Sequence, residues 1–356
     1  MRRIGFVLLS NPAQPVPSTR VAALNLFPFL RAAGYAPEVL FAPDTPSETP
    51  ALKLSASAIA QAGHRVVVFQ KTHGEPCVQL ARELEAHGVR TIYLVCDLVD
   101  EAMARATHAT IVVTDYLKSL YPAELRHKVH VVHDGIERPN VHKPAASEHR
   151  GSRERPLKAV LVTSSALDHV PVIGKLPSWL EVTIVGLYRD RSNRAGRWAV
   201  ARWQFVEQAG WRRKAQYLRF LADPKIRREA WDADGVYRWL CEADIGIIPI
   251  EREPAPSPEM PNPAWMIKSE NRLSLKMSVG LPVVATPIPA YEPVVVDGVN
   301  GYLARSPAEW IDKLEALRSP EHRALLGSAA RRSVLERFSM ERQAARFVAV
   351  LAVVTT

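Results

Sequence analysis

Short, nearly continuous apolar runs rich in β-branched residues recur at residues 4–9, 38–41, 66–69, 91–95, 109–113 and 129–133, with helix-like segments between them. Runs of this kind are buried on both faces, and their alternation with helices is what a parallel sheet requires, because each crossover travels back over one face. The pattern lapses after residue 134 into a stretch rich in Pro, His, Arg, Ser and Glu, then restarts at 159–163, 182–185, 245–250 and 283–286. The last part reads as helices. Ser306-Pro307-Ala308-Glu309 is a capping box with proline in the first turn, Ser319-Pro320 opens a second helix, and Ser339 caps a third whose Ala344, Phe347, Val348 and Leu351 share a face. The expected fold is α/β: two doubly wound Rossmann-like domains facing across a cleft, with a C-terminal helical segment. Expected boundaries are 1–134, a linker over 135–156, 157–335, and a final helix over 336–356 that packs back toward the first domain.

Composition changes this picture little. A chain of 356 residues, 47% apolar and 23% charged, has ordinary globular composition and is long for one core. No run approaches the length needed to span a bilayer, and the apolar start is too short for a signal peptide. Cys77, Cys96 and Cys241 are odd in number and lack CxxC spacing, so neither a disulfide framework nor a zinc site is suggested, and a reducing cytoplasm fits. The formal charge of +9 favours a polyanionic partner: a phosphorylated substrate, an anionic membrane or nucleic acid. Because the basic residues are dispersed, with groups at Arg189, Arg191, Arg194, Arg197 and at Arg212, Arg213, Lys214 interrupted by tryptophans, dedicated nucleic-acid binding is not expected.

Ligands of open parallel sheets bind at the carboxyl ends of the strands, so polar residues just after each run carry the candidate chemistry. In the first half these are Ser10 and Asn11, then Ser18, Thr19 and Arg20 with Asn25, Lys71 after the third run, and Asp97 after the fourth. Arg20, Lys71 and Asp97 are the catalytic candidates. Plain structural roles are open as well: Ser18 or Thr19 as a helix cap, Asp97 as the cap of a helix beginning near Asp100, and Lys71 as a solvated charge. Ser164 and Ser165 hold the corresponding place in the second half.

The most informative segment is 268–291, KSENRLSLKMSVGLPVVATPIPAY. Ser269 is placed to cap a helix that Gly280 and Pro282 end before the next buried strand. Lys268 and Arg272 then sit at the helix start, where the dipole disfavours cations unless an anion lies between them. With the free N–H groups there, Lys268, Ser269, Asn271 and Arg272 compose a candidate diphosphate site.

Here the chain resembles the family 4 type of GT-B glycosyltransferases. Met277, Gly280 and Pro282-Val283-Val284-Ala285-Thr286 match its central run, Asp297-Gly298 and Asn300-Gly301-Tyr302-Leu303 its close, residues 243–249 its preceding strand, and His133-Asp134-Gly135-Ile136 the end of its first domain. The resemblance implies a nucleotide-sugar donor held by the second domain, an acceptor held by the first, metal-independent transfer without a cofactor, and retention of anomeric configuration. It departs at the family's paired glutamates, which fall on Ile267 and Leu275; Glu270 serves instead if the register shifts. Ala290 and Tyr291 would then lie against the donor sugar or nucleoside. The function implied is sugar transfer to a glycan, lipid-linked or small-molecule acceptor in glycan, glycolipid or cell-surface polysaccharide synthesis, with peripheral contact at the inner face of an anionic membrane. Two alternatives share the architecture: a sugar-nucleotide 2-epimerase-like enzyme, and a non-catalytic sugar-binding or partner protein.

Overall fold

The computed structural model describes residues 2–144, 150–163, 170–186, 188, 193–208 and 210–355. They form two compact units. Unit 1 holds residues 1–137, 266–270 and 337–356; unit 2 holds residues 138–265 and 271–336.

Unit 1 is built on six parallel strands in the order β2-β1-β3-β4-β5-β6: β1 (Arg2–Leu8), β2 (Tyr35–Phe41), β3 (His64–Gln70), β4 (Arg90–Val95), β5 (Ala109–Val112) and β6 (Val129–Val131). Its crossovers carry α1 (Pro17–Ala22), α2 (Phe27–Ala32), α3 (Ala56–Gln61), α4 (Glu75–Ala86), α5 (Glu101–Ala106) and α6 (Asp115–Leu120). The strands alternate their side chains between two cores. Val67, Phe69, Tyr93 and Val95 point into one with α4 and α5, and Ile4, Phe6, Val66, Val68 and Leu94 into the other. That second core is closed by the chain's last helix, whose Ala344, Phe347 and Leu351 are buried against it.

Unit 2 repeats the scheme with β7 (Leu157–Val162), β8 (Leu180–Gly186), β9 (Ile226–Ala230), β10 (Ile245–Ile248), β11 (Val283–Ala285) and β12 (Tyr302–Leu303), ordered β12-β11-β10-β7-β8-β9 and all parallel. Its helices are α7 (Arg194–Glu207), α8 (Gly210–Ala222), α9 (Gly235–Glu242), α10 (Asn271–Ser278) and α11 (Pro307–Ala316). Helices α12 (Pro320–Phe338) and α13 (Met340–Thr355) follow. Strands β9 and β12 lie at the two edges. β9 reads Ile-Arg-Arg-Glu-Ala and β12 is two residues long, so neither announces itself as an apolar run.

The caps in the C-terminal part form as their residues dictate. The Ser306 hydroxyl accepts from Glu309 N at 3.2 Å while Glu309 reaches back to Arg305 N; Ser319 accepts from His322 N and Ser339 from Arg342 N. The polar stretch after residue 137 is anchored on unit 2 by its backbone. Arg331 donates to the Pro139 and Val141 carbonyls, and Lys143 N donates to Val279 O. Bonds of this kind leave no hydrophobic signature in a sequence.

Helix α10 ends at Gly280, whose φ of +85° closes the turn, and the backbone of α12 presses on that turn at Gly327. A Cβ on Gly327 would stand 2.2 Å from the Gly280 carbonyl oxygen, against backbone that cannot swing away. Gly327→Ala is expected to cost about 2–3 kcal/mol through overpacking, despite alanine's better helix propensity. The check is the midpoint of urea unfolding, which should fall well below that of the unaltered protein.

Candidate functional site

In unit 1 the carboxyl edge of the sheet gathers charge at the ends of β3 and β4. Lys71, the residue after β3, adopts φ +55°, a left-handed conformation unusual for a side chain larger than glycine. Its Nζ lies 2.8 Å from Glu48 Oε1 and 2.9 Å from Asp97 Oδ1. Burial alone would lower the Lys71 pKa, but the adjoining Cys96 sulfur and the two carboxylates outweigh it and hold the ammonium well above its usual range. The Cys96 thiol is itself pushed well up, first by burial, so at neutral pH the lysine is held by Glu48 and Asp97. His73 completes the group, with Nδ1 3.4 Å from Asp100 and Nε2 3.7 Å from Glu48. The cap of α5 is Asp100, which accepts from Met103 N at 2.9 Å, and not Asp97.

Two of the three catalytic candidates, Lys71 and Asp97, are thus joined directly. Arg20 is not with them: its guanidinium is bidentate on Glu137, at 2.7 and 3.1 Å, and Asn25 donates to the same carboxylate. Thr19 does not cap a helix either. With Ser10 it belongs to a buried chain of hydroxyls ending on Gln70 Oε1, which also receives Leu9 N, so that the loop after β1 is fastened to β3. Glu48 and His73 were not evident from the sequence. Glu48 lies in an irregular Ser/Thr/Pro-rich loop after β2, and the sequence signal for His73 is its place two residues after Lys71.

A second group in unit 1 surrounds Glu270. His133 Nδ1 is 2.7 Å from Glu270 Oε1, both side chains being buried, and the His133 ring meets Phe338 edge-on. Beside them Asp134 is pushed up to about 7, chiefly by burial and then by the Glu270 charge, against the pull of a Ser269 hydrogen bond and of His133. Glu270, the candidate sugar or nucleoside contact, is therefore engaged within unit 1. Lys268 and Ser269 lie in the same short segment. Ile267 packs against the α4–α5 core.

In unit 2, α10 is the crossover between the parallel strands β10 and β11, so its first turn stands at the carboxyl edge of the sheet. That turn has no acidic residue. It carries Asn271 and the half-buried Arg272, whose side chain makes no hydrogen bond or ion pair among the described residues. Leu275 packs behind the helix with Val160, Leu240 and Val279. Ala290 and Tyr291 are buried, and the Tyr291 carbonyl accepts from Val294 N and Val295 N in the turn that follows β11. Ser164 and Ser165 lie outside the described residues.

The last turn of α10 holds an unexpected group. Lys276 is fully buried; its stem crosses Gly246 of β10, where a Cβ would meet Lys276 Cδ at 2.9 Å, and its Nζ donates to Arg272 O at 3.2 Å. Burial, and secondarily the charge of Arg272, bring its pKa down to about 7.

Two parallel six-stranded sheets, each covered by helices and each presenting polar residues at its carboxyl edge, are the architecture of GT-B glycosyltransferases. Residues 167–319 match the family model described as glycosyl transferases group 1. The matched domain lies largely in the second unit, and the chain as a whole has the GT-B fold. A glycosyltransferase from Rickettsia africae is similar over 99% of this chain and 98% of its own, at 13% identity and a TM-score of 0.69. Sucrose-phosphate synthase from Thermosynechococcus elongatus is similar over 99% and 98%, at 12% identity and a TM-score of 0.66. Anabaena HepE, solved in complex with UDP and glucose, is similar over 99% and 100%, at 13% identity and a TM-score of 0.64. No curated protein matches the chain by sequence.

The buried amine sets a pH dependence. The unfolded lysine keeps its proton up to about 10.5, the folded one releases it near 7, so between those values the unfolded chain binds the extra proton and stability rises with pH. Lys276→Met removes the cost of burying the charge at a similar volume. It should raise stability by ~1–2 kcal/mol at pH 7 and flatten the rise between pH 7 and 9.5, as followed by urea unfolding at several pH values.

Proposed function

We propose that the protein transfers a glycosyl group from a nucleotide-sugar donor held by unit 2 to an acceptor hydroxyl held by unit 1, without a metal ion. The observation that carries the donor assignment is Arg272: a cation with no carboxylate partner among the described residues, in the first turn of α10 and at the sheet's carboxyl edge. A diphosphate satisfies the helix terminus and the guanidinium together. Charge grows on that diphosphate as the glycosyl bond breaks, so fixed donors there stabilise the transition state more than the ground state. Lys268, Ser269 and Asn271 are further candidate contacts, and Ala290, Tyr291 and Glu270 remain the candidates nearest the sugar or nucleoside. HepE's complexes with UDP and with UDP-glucose make uridine diphosphate sugars the first donors to test.

In unit 1 we assign Asp97 to the acceptor. With Lys71 fixing its orientation, its carboxylate can orient or deprotonate a hydroxyl. Sugar transfer in glycan, glycolipid or cell-surface polysaccharide synthesis is the setting this reading implies, with peripheral contact at an anionic membrane.

A panel of nucleotide sugars, followed by release of the nucleoside diphosphate, tests the whole reading; no release and no binding of any member would reject it. Within that assay Arg272→Ala should weaken donor binding or turnover by about 10–100-fold, the worth of a charge-assisted contact, and Lys268→Ala should act in the same direction. Activity should persist in EDTA; loss on chelation that magnesium or manganese restores would replace the two cations by a metal.

Asp97→Asn makes a separate prediction. Turnover should fall about 10²–10⁴-fold while donor affinity, measured by calorimetry with the nucleoside diphosphate, stays within about twofold of the unaltered protein. Because the cap of α5 is Asp100, loss of a cap is no alternative account, and equal thermal stability of the two proteins controls for loss of the Lys71 ion pair.

A further inference from the structure

Helices α7 and α8, between β8 and β9 of unit 2, turn Phe205, Tyr217 and Phe220 toward the core but also present large apolar side chains to solvent, beyond the single inward stripe of an ordinary amphipathic helix. The fully buried residue of α7 is polar: Gln204, hydrogen-bonded to the buried Tyr217 hydroxyl of α8. Three of its large apolar residues face out, with Trp198 66%, Trp203 52% and Val206 62% exposed. In α8, Trp211 is 76% and Leu218 49% exposed, seven residues apart and so on one face of the helix.

The charge around these residues is one-sided. From residue 194 to 222 the sequence has seven Lys and Arg and a single acid, Glu207. Arg213 is neutralised by Glu251 and Glu253. Arg194, Arg202, Arg212 and Arg219 have no carboxylate partner among the described residues, and the Arg202 guanidinium lies 5.7 Å over the Trp198 ring. Tryptophans with one apolar and one polar aspect, exposed aliphatic side chains and unpaired arginines are the combination that seats a helix in the headgroup layer of an anionic bilayer. A second copy of the chain would bring the same positive field against this one. Nucleic acid would use the arginines and the aromatic rings, but Val206 and Leu218 would add nothing to base stacking, whereas each adds area to a hydrocarbon boundary.

We propose that the α7–α8 hairpin is a peripheral docking surface for a bilayer rich in anionic lipid. No helix among the described residues is long and apolar enough to cross a membrane, and this surface needs none. The proposal does not depend on the donor or acceptor assignments and is read without any activity measurement.

The test is co-sedimentation with vesicles of phosphatidylcholine alone and of phosphatidylcholine with about one-third phosphatidylglycerol, near physiological salt. Binding should be at least about tenfold stronger on the anionic vesicles and weaken as salt rises. Replacing Trp198, Trp203 and Trp211 together by Ser should lower binding to anionic vesicles about tenfold or more at unchanged thermal stability, and Arg202→Glu with Arg212→Glu should do the same. Brominated phosphatidylglycerol, used with the unaltered protein, should quench its tryptophan fluorescence; this arm holds even if a multiple variant folds poorly. Equal binding to neutral and anionic vesicles, absence of quenching, or unaltered binding by folded Trp variants would overturn the proposal. Binding of the unaltered protein to an RNA or DNA oligonucleotide but to neither vesicle, lost in the Arg variant, would overturn it in favour of nucleic acid.

Discussion

Parallel strand pairing is the constraint on which the rest of this structure depends. A parallel sheet cannot be closed by tight hairpins, so every strand must be followed by a crossover that returns over one face, and all strands then end on the same edge. In unit 1 this brings Lys71 and Asp97, twenty-six positions apart, to adjacent strand ends and within an ion pair. In unit 2 it stands the first turn of α10 at the corresponding edge. The chemistry sits where backbone topology leaves loops, while the cores on the two faces of each sheet hold those loops in place.

Much of this was legible because burial on both faces writes itself into a sequence. The runs at 66–69, 91–95, 159–163 and 182–185 lie within or at the ends of β3, β4, β7 and β8. The strands that escaped were the two edges of unit 2. β9 carries Arg227, Arg228 and Glu229, since an edge strand meets water on one side, and β12 is too short for a pattern. Caps were legible too, because a serine three residues before a free N–H has one natural use. Irregular backbone was not: nothing local in the loop holding Glu48 says that its carboxylate will reach Lys71.

The candidate site shows the same division. Lys71, Asp97 and Arg272 could be named because each follows or opens an element whose position topology fixes. Their partners depend on distances the sequence does not contain, which is why Arg20 is found on Glu137, and Glu270 on His133. The positions where family resemblance looks for paired carboxylates, Ile267 and Leu275, pack against apolar cores instead. A residue count carried over from a family finds the place in the fold, and the local environment decides what can stand there.

The excursion of residues 266–270 into unit 1 bears on how such a chain can be recombined. Unit 1 is assembled from three separate stretches: its strands come early, Glu270 comes from the middle, and the face of α13 that covers Ile4, Phe6 and Val68 comes from the end. A single genetic crossover between this chain and a distant relative would therefore join one parent's sheet to the other parent's covering helix and leave His133 facing a foreign partner. Exchange of unit 1 has to move all three stretches together. That makes unit 2, interrupted only by those five residues, the easier module to trade.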